Sequence, residues 1–177
     1  KEKLSAIFGG RFEREVSLYG ERLSGFYQFM VSPSEDILVA GRSVEDIGEA
    51  WSDVAVLQLS DLKCRRLISG DHYALNGIAF CDDADCFALA YGNGYGKRYA
   101  GGYAAVYDGQ GGELFSTGID ESFSCQGAVF RESESKEIIV WGDRELRFWN
   151  YGDGKEYAVS LKLPNHIRAV ACTEDAH

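Results

Sequence analysis

Short apolar runs, each ending on a glycine and each preceded by a charged turn, recur along this chain. Phe29-Met-Val-Ser-Pro-Ser-Glu-Asp-Ile-Leu-Val-Ala-Gly41 is an apolar end, a polar turn, an apolar run and a glycine. The same order returns in Phe80-Cys-Asp-Asp-Ala-Asp-Cys-Phe-Ala-Leu-Ala-Tyr-Gly92 and in Phe130-Arg-Glu-Ser-Glu-Ser-Lys-Glu-Ile-Ile-Val-Trp-Gly142. In all three the aromatic-to-glycine step is 12 residues, and the repeats follow one another at intervals of about 50. Runs this short, bounded by Asp, Ser, Pro and Gly, predict strands rather than helices.

Each repeat carries further strand signals. A β-prone stretch precedes each Phe (Phe26 to Met30, Leu75 to Phe80, Cys125 to Phe130), and an apolar segment follows each glycine (Val54 to Leu59, Tyr103 to Tyr107, Leu146 to Trp149). A weaker stretch closes each unit: Lys63 to Ile68, Glu113 to Thr117, Tyr157 to Leu163. Four short strands per repeat of this length are the content of one β-propeller blade. The ends obey the same order. Leu4 to Gly9 and Val16 to Tyr19 match second and third strands, and Ile167 to Ala171 matches a first strand. The expected organisation is a partial blade over 1–24, blades over 25–70, 71–120 and 121–166, and the first strand of a further blade over 167–177. A lone blade cannot bury both faces of its sheet, so blades must stack. The expected setting is a larger propeller of the seven-bladed type in a longer polypeptide. A closed four-bladed ring and a combination of two chains are the alternatives.

Leu67-Ile-Ser-Gly-Asp-His72 followed by Asn76-Gly-Ile-Ala-Phe80 resembles the Gly-His element, inner strand and turn of WD40 repeats. Glu137-Ile-Ile-Val-Trp-Gly-Asp-Arg-Glu-Leu-Arg-Phe-Trp-Asn150 is similar to their second and third strands ending in Trp-Asp, with Asn150 in the last place. The motifs are degenerate: Tyr107-Asp108 stands for Trp-Asp, Leu57 and Tyr19 replace Trp, and the Gly-His pair is split by Asp71. The resemblance implies a rigid platform for other protein chains within a larger assembly. Gln126 to Val129 with Val140 to Leu146 also resembles the WD-repeat auxiliary subunits of tRNA 2′-O-ribose methyltransferases, which makes that auxiliary role, or a propeller enzyme, the alternative function.

Composition narrows the classes. A formal charge of −10 argues against a nucleic-acid footprint, which needs clustered cations. Arg11 with Arg14, Lys63 with Arg65 and Arg66, and Lys97 with Arg98 are small basic spots that read as solvated loop charge. Apolar runs of a few residues do not span a membrane. The five cysteines lack C-x-x-C spacing and no N-x-S/T sequon occurs, so reduced thiols in an intracellular, cytoplasmic protein are expected.

Candidate chemistry is sparse. His72 and His166 fall in equivalent junctions and read as histidines that fix turns by hydrogen bonds rather than as general bases. Asp82, Asp83 and Asp85 lack the frame of a calcium loop and belong to the repeat's solvated turn. Gly92-Asn-Gly-Tyr-Gly-Lys97 lies between strands, not before a helix, so it reads as a long hairpin loop rather than a phosphate cradle. No catalytic, cofactor or metal residues are assigned, and no small-molecule substrate is expected. The loops are the place to look. Ser43 to Trp51 and Gly92 to Tyr103 are long, whereas Gly142 to Glu145 is tight, and long loops on a rigid scaffold carry recognition. Trp51, Tyr95, Lys97, Arg98 and Tyr99 combine aromatic area with charge and are the candidate partner-binding residues.

Overall fold

The computed structural model describes residues 17–18, 21–22, 26–46, 49–82, 86–92, 101–131, 135–157 and 160–172. The described secondary structure is entirely β, in antiparallel sheets of the expected four-strand kind. Blade 1 is formed by β3 (Gln28–Val31), β4 (Ile37–Asp46), β5 (Glu49–Gln58) and β6 (Cys64–Asp71), paired in chain order. In blade 2, β7 (Ala74–Phe80), β8 (Cys86–Gly92), β9 (Gly102–Asp108) and β10 (Glu113–Ser116) repeat that order. Blade 3 runs β11 (Gly127–Phe130), β12 (Glu137–Trp141) and β13 (Glu145–Asn150). Its outer strand is broken into β14 (Lys155–Glu156) and β15 (Leu161–Lys162), both paired with β13. Ahead of these lies a two-stranded piece, β1 (Ser17–Leu18) with β2 (Glu21–Arg22).

Blade 2 explains how the blades stack. β8 is buried along its whole length, because alternate side chains serve opposite neighbours. Phe87, Leu89 and Tyr91 pack toward blade 1, against Ile37, Val39, Val54 and Val56. Cys86, Ala88 and Ala90 point the other way, where Phe130, Ile138 and Val140 of blade 3 fill the space that small residues leave. Large faces small across the second seam, and that matching lets two twisted sheets close on each other.

The recurring glycine has a steric cause. At this glycine, inside β4 and at or just past the ends of β8 and β12, each blade is crossed closely by an entry segment. A Cβ on Gly41 would lie 2.1 Å from Leu75 Cδ2, and one on Gly92 would lie 2.5 Å from the Cys125 carbonyl oxygen. Leu75 and Cys125 each stand five residues before the Phe of the following blade. Gly142 is approached by its own blade's entry, with Ser124 O at 2.9 Å from the position a Cβ would take.

Side-chain amides lace the same seams. Gln28 Nε2 donates to Leu75 O at 2.8 Å, and Asn76 Nδ2 donates to Cys125 O at 2.7 Å. The Leu75 N–H in turn donates to Ser43 Oγ at 2.8 Å. The Ile167 N–H donates to Asp143 O at 2.7 Å, so Ile167 meets blade 3 where Leu75 meets blade 1. Ile167 to Ala171, expected as a strand, has no strand partner among the described residues.

Candidate functional site

One end of the stack gathers the connections that the sequence singled out. There β4 passes into β5, β8 ends at Gly92 and β9 begins at Gly102, and β12 turns into β13 through Asp143 and Arg144. The chain also crosses from blade to blade at this end. The expected loop over Ser43 to Trp51 is instead mostly strand: β4 and β5 remain in register through Val44↔Trp51 to Asp46↔Glu49. Ser43-Val44-Glu45-Asp46 is mostly polar and its alternation breaks at Asp46, which is why length was visible in sequence but conformation was not. Trp51 therefore sits on a strand, between Val44 and Asp71, and is 37% exposed.

The base of that ribbon is held firmly. Ser52, next to Trp51, is fully buried and its hydroxyl donates to Gly70 O at 3.4 Å. Arg42 and Asp53 pair at 2.6 Å, Ser69 Oγ donates to Asp53 at 3.2 Å, and the Arg42 guanidinium stands 5.3 Å from the Phe26 ring centroid. A large aromatic on a rigid base loses little freedom when a partner covers it. Tyr95, Lys97, Arg98 and Tyr99 lie outside the described residues, as do Asp83 and Asp85. Gly101, one attachment of the segment that carries the first four, has φ of 104° and lies against Asp120, so a side chain there would be both strained and obstructed.

Both junction histidines are exposed, and His72 stands with φ of 69° at the blade 1 to blade 2 crossover. The His166 ring bonds the Asp143 carboxylate through Nδ1 and lies 3.2 Å from Arg144 Nη2 through Nε2. It fastens the chain to the β12–β13 turn.

A cluster that the sequence did not reveal lies at the crossover from blade 2 to blade 3. Arg147 of β13 donates to Asp120 at 2.6 Å and to Glu145 at 3.1 Å, and its guanidinium lies 4.2 Å from the Phe123 ring centroid. Burial disfavours the Arg147 charge, but the bonds to Asp120 and Glu145 outweigh it and hold the side chain protonated above its ordinary value. Asp120 is lowered to about 2, first by the Ser122 hydroxyl and then by Arg147. Beside them is a pocket of about 20 Å³, room for a single water. No periodicity links Asp120 with Arg147, so only the fold brings them together.

The thiols follow burial. Cys81, Cys86 and Cys125 are buried, Cys64 and Cys172 half-buried, and all five are thiols rather than disulfides. Burial pushes Cys125 up to about 12. No described helix is long and apolar enough to cross a membrane.

No family model and no curated protein matches this chain. Solved structures do. The chain is similar to the structure of U3-55K and to the RRP9 WD40 repeats, in each case at 14% identity and a TM-score of 0.56 over 81% of this chain and 40% of the other. It is equally similar to the Cps50 (Swd1) β-propeller domain of Myceliophteria thermophila, at 14% identity and a TM-score of 0.57 over 80% of this chain and 40% of that one. The chain thus spans about 40% of the length of these structures. With four-stranded sheets stacked face to face and this likeness, the fold is that of WD40-type β-propeller blades.

Proposed function

We propose that this chain is a non-catalytic platform for other protein chains, with its docking face at the β4–β5 ribbon. The observation that carries the reading is Trp51, a 37% exposed aromatic one residue beyond the buried, hydrogen-bonded Ser52. Propellers host both scaffolds and enzymes, so this exposed aromatic, and not the fold, supports a docking role. The segment bearing Tyr95, Lys97, Arg98 and Tyr99 joins β8 to β9 at the same end of the neighbouring blade, which would give a partner two adjacent attachments. An intracellular subunit of a larger assembly agrees with the reduced thiols and the acidic charge.

The test is site-specific photo-crosslinking in cells. A photoreactive phenylalanine analogue replaces Trp51 in one version of the full-length protein and Leu114, 53% exposed on the outer strand of blade 2, in another. A discrete crosslinked partner from position 51 and none from 114 supports the docking face. Identical patterns from both positions, or none from 51, reject it.

A further inference from the structure

Each blade closes the hairpin between its first two strands with one backbone bond: Ser32 N to Ile37 O at 2.9 Å, Cys81 N to Cys86 O at 3.1 Å, and Arg131 N to Glu137 O at 3.1 Å. In two blades a side chain reinforces that closing pair. Ser32 Oγ accepts from the Asp36 and Ile37 N–H groups at 3.2 and 3.1 Å, and Arg131 pairs with Glu137 at 2.9 Å. In blade 2 the two positions carry thiols.

The geometry suits a bond between them. The register Phe80↔Phe87 places Cys81 directly opposite Cys86, and both side chains enter the same core cluster, so they share a face of the hairpin. Directly opposed residues have Cα atoms about 4.5–5.5 Å apart, inside the roughly 4.4–6.8 Å that a disulfide spans, and Cβ atoms about 4.5–5.5 Å apart, which close to about 3.5–4.5 Å when the bond forms. Tyr151, reaching across from blade 3, packs against the same cluster, and its ring meets Phe130 edge-on at 5.7 Å. Cys125 shares the cluster but its thiol donates to Gly127 O, and Cys64 donates to Arg66 O. From this we infer that Cys81 and Cys86 are a reversible dithiol–disulfide pair, a modification site at which a peroxide covalently ties the blade 2 hairpin.

The chemistry balances with hydrogen peroxide as oxidant. One sulfur attacks a peroxide oxygen; the S–O bond forms, the O–O bond breaks, and water leaves with the thiol proton. The second sulfur then attacks the first, the S–S bond forms, the S–O bond breaks, and a second water departs. Two thiols are oxidised by two electrons while the peroxide is reduced to two waters. Tyr151, packed from blade 3 against the same core cluster, then meets a disulfide in place of two thiols, so the change is felt at the seam with blade 3.

Peptide mapping tests the pair in the intact, full chain. The reduced protein is treated with hydrogen peroxide, denatured, alkylated and cut by an Asp-specific protease. Cleavage before Asp82 and Asp85 puts Cys81 and Cys86 on separate peptides unless a bond joins them. The expected result is loss of alkylation at Cys81 and Cys86 alone, a linked peptide pair, and full recovery of label after dithiothreitol. Undiminished label on both, sulfinic acid at either, or linkage of either to a different cysteine overturns the inference. Because the wild-type chain is mapped, no variant need fold.

Discussion

Arg147 ties the crossover segment to blade 3, and removing it should weaken that seam by an amount that can be partitioned. The side chain is 17% exposed, with Asp120 at 37% and Glu145 at 22%. Losing one partner of a fully buried pair costs about 3–5 kcal/mol, and an exposed pair is worth about 0.2–1 kcal/mol. With Asp120 more than a third exposed, the Arg147–Asp120 contact lies near the exposed limit, at a coupling of about 0.5–1 kcal/mol, and stacking on Phe123 adds about 0.5–1 kcal/mol. Arg147→Met should thus cost about 1.5 kcal/mol in urea unfolding. A double-mutant cycle with Asp120→Asn isolates the pair.

Acid gives a second handle on the same contact. The folded pKa of Asp120 is depressed from 3.8 to about 2, so its stabilisation is fully present above 3.8 and disappears as pH falls through 2. Screening of this partly exposed carboxylate limits the loss to about 1 kcal/mol. Arg147→Met should shrink that acid loss. The Ser122 hydrogen bonds, the larger cause of the shift, should preserve the remainder. A coupling below about 0.4 kcal/mol, which is the noise of additivity, or an unchanged acid loss in the variant, refutes the reasoning.

Three further outcomes follow from the seams. Gly92→Ala should destabilise by about 2–3 kcal/mol, because its Cβ would meet a backbone carbonyl that cannot swing aside; a melting temperature equal to wild type contradicts this. Asn76→Ala should cost about 1 kcal/mol and leave Cys125 O without its amide donor, speeding hydrogen exchange in Gly127–Phe130 relative to β4. Tyr91→Phe should be neutral or stabilising by up to about 1 kcal/mol, since the Tyr91 hydroxyl is buried with no hydrogen-bond partner among the described residues; a loss beyond about 1 kcal/mol in urea unfolding counts against it.

The repeat was legible because its cause is local. The Phe, the polar turn and the apolar run belong to one hairpin, and the glycine marks where an entry segment presses on that hairpin. The broken outer strand of blade 3 was less so: Tyr157 to Leu163 reads as one weak strand, yet β13 pairs with two short pieces instead. Trp51 could be chosen from its composition, but its strand conformation depends on a cross-strand register that the polar ribbon states only faintly. Arg147 with Asp120 was invisible, because an ion pair spanning a crossover leaves no period in the chain.

The platform reading is tested most directly by titrating the full-length protein, and its Trp51→Ala variant, against the partner recovered by crosslinking. Melting temperature serves as the control for folding. With an unchanged melting temperature, the account predicts affinity weakened by roughly 30-fold, the effect of losing one aromatic hot spot of about 2 kcal/mol. Tyr99→Ala, in the segment between β8 and β9, should weaken it further. Unchanged affinity in both variants would contradict the claim that partners dock on this end of the blades.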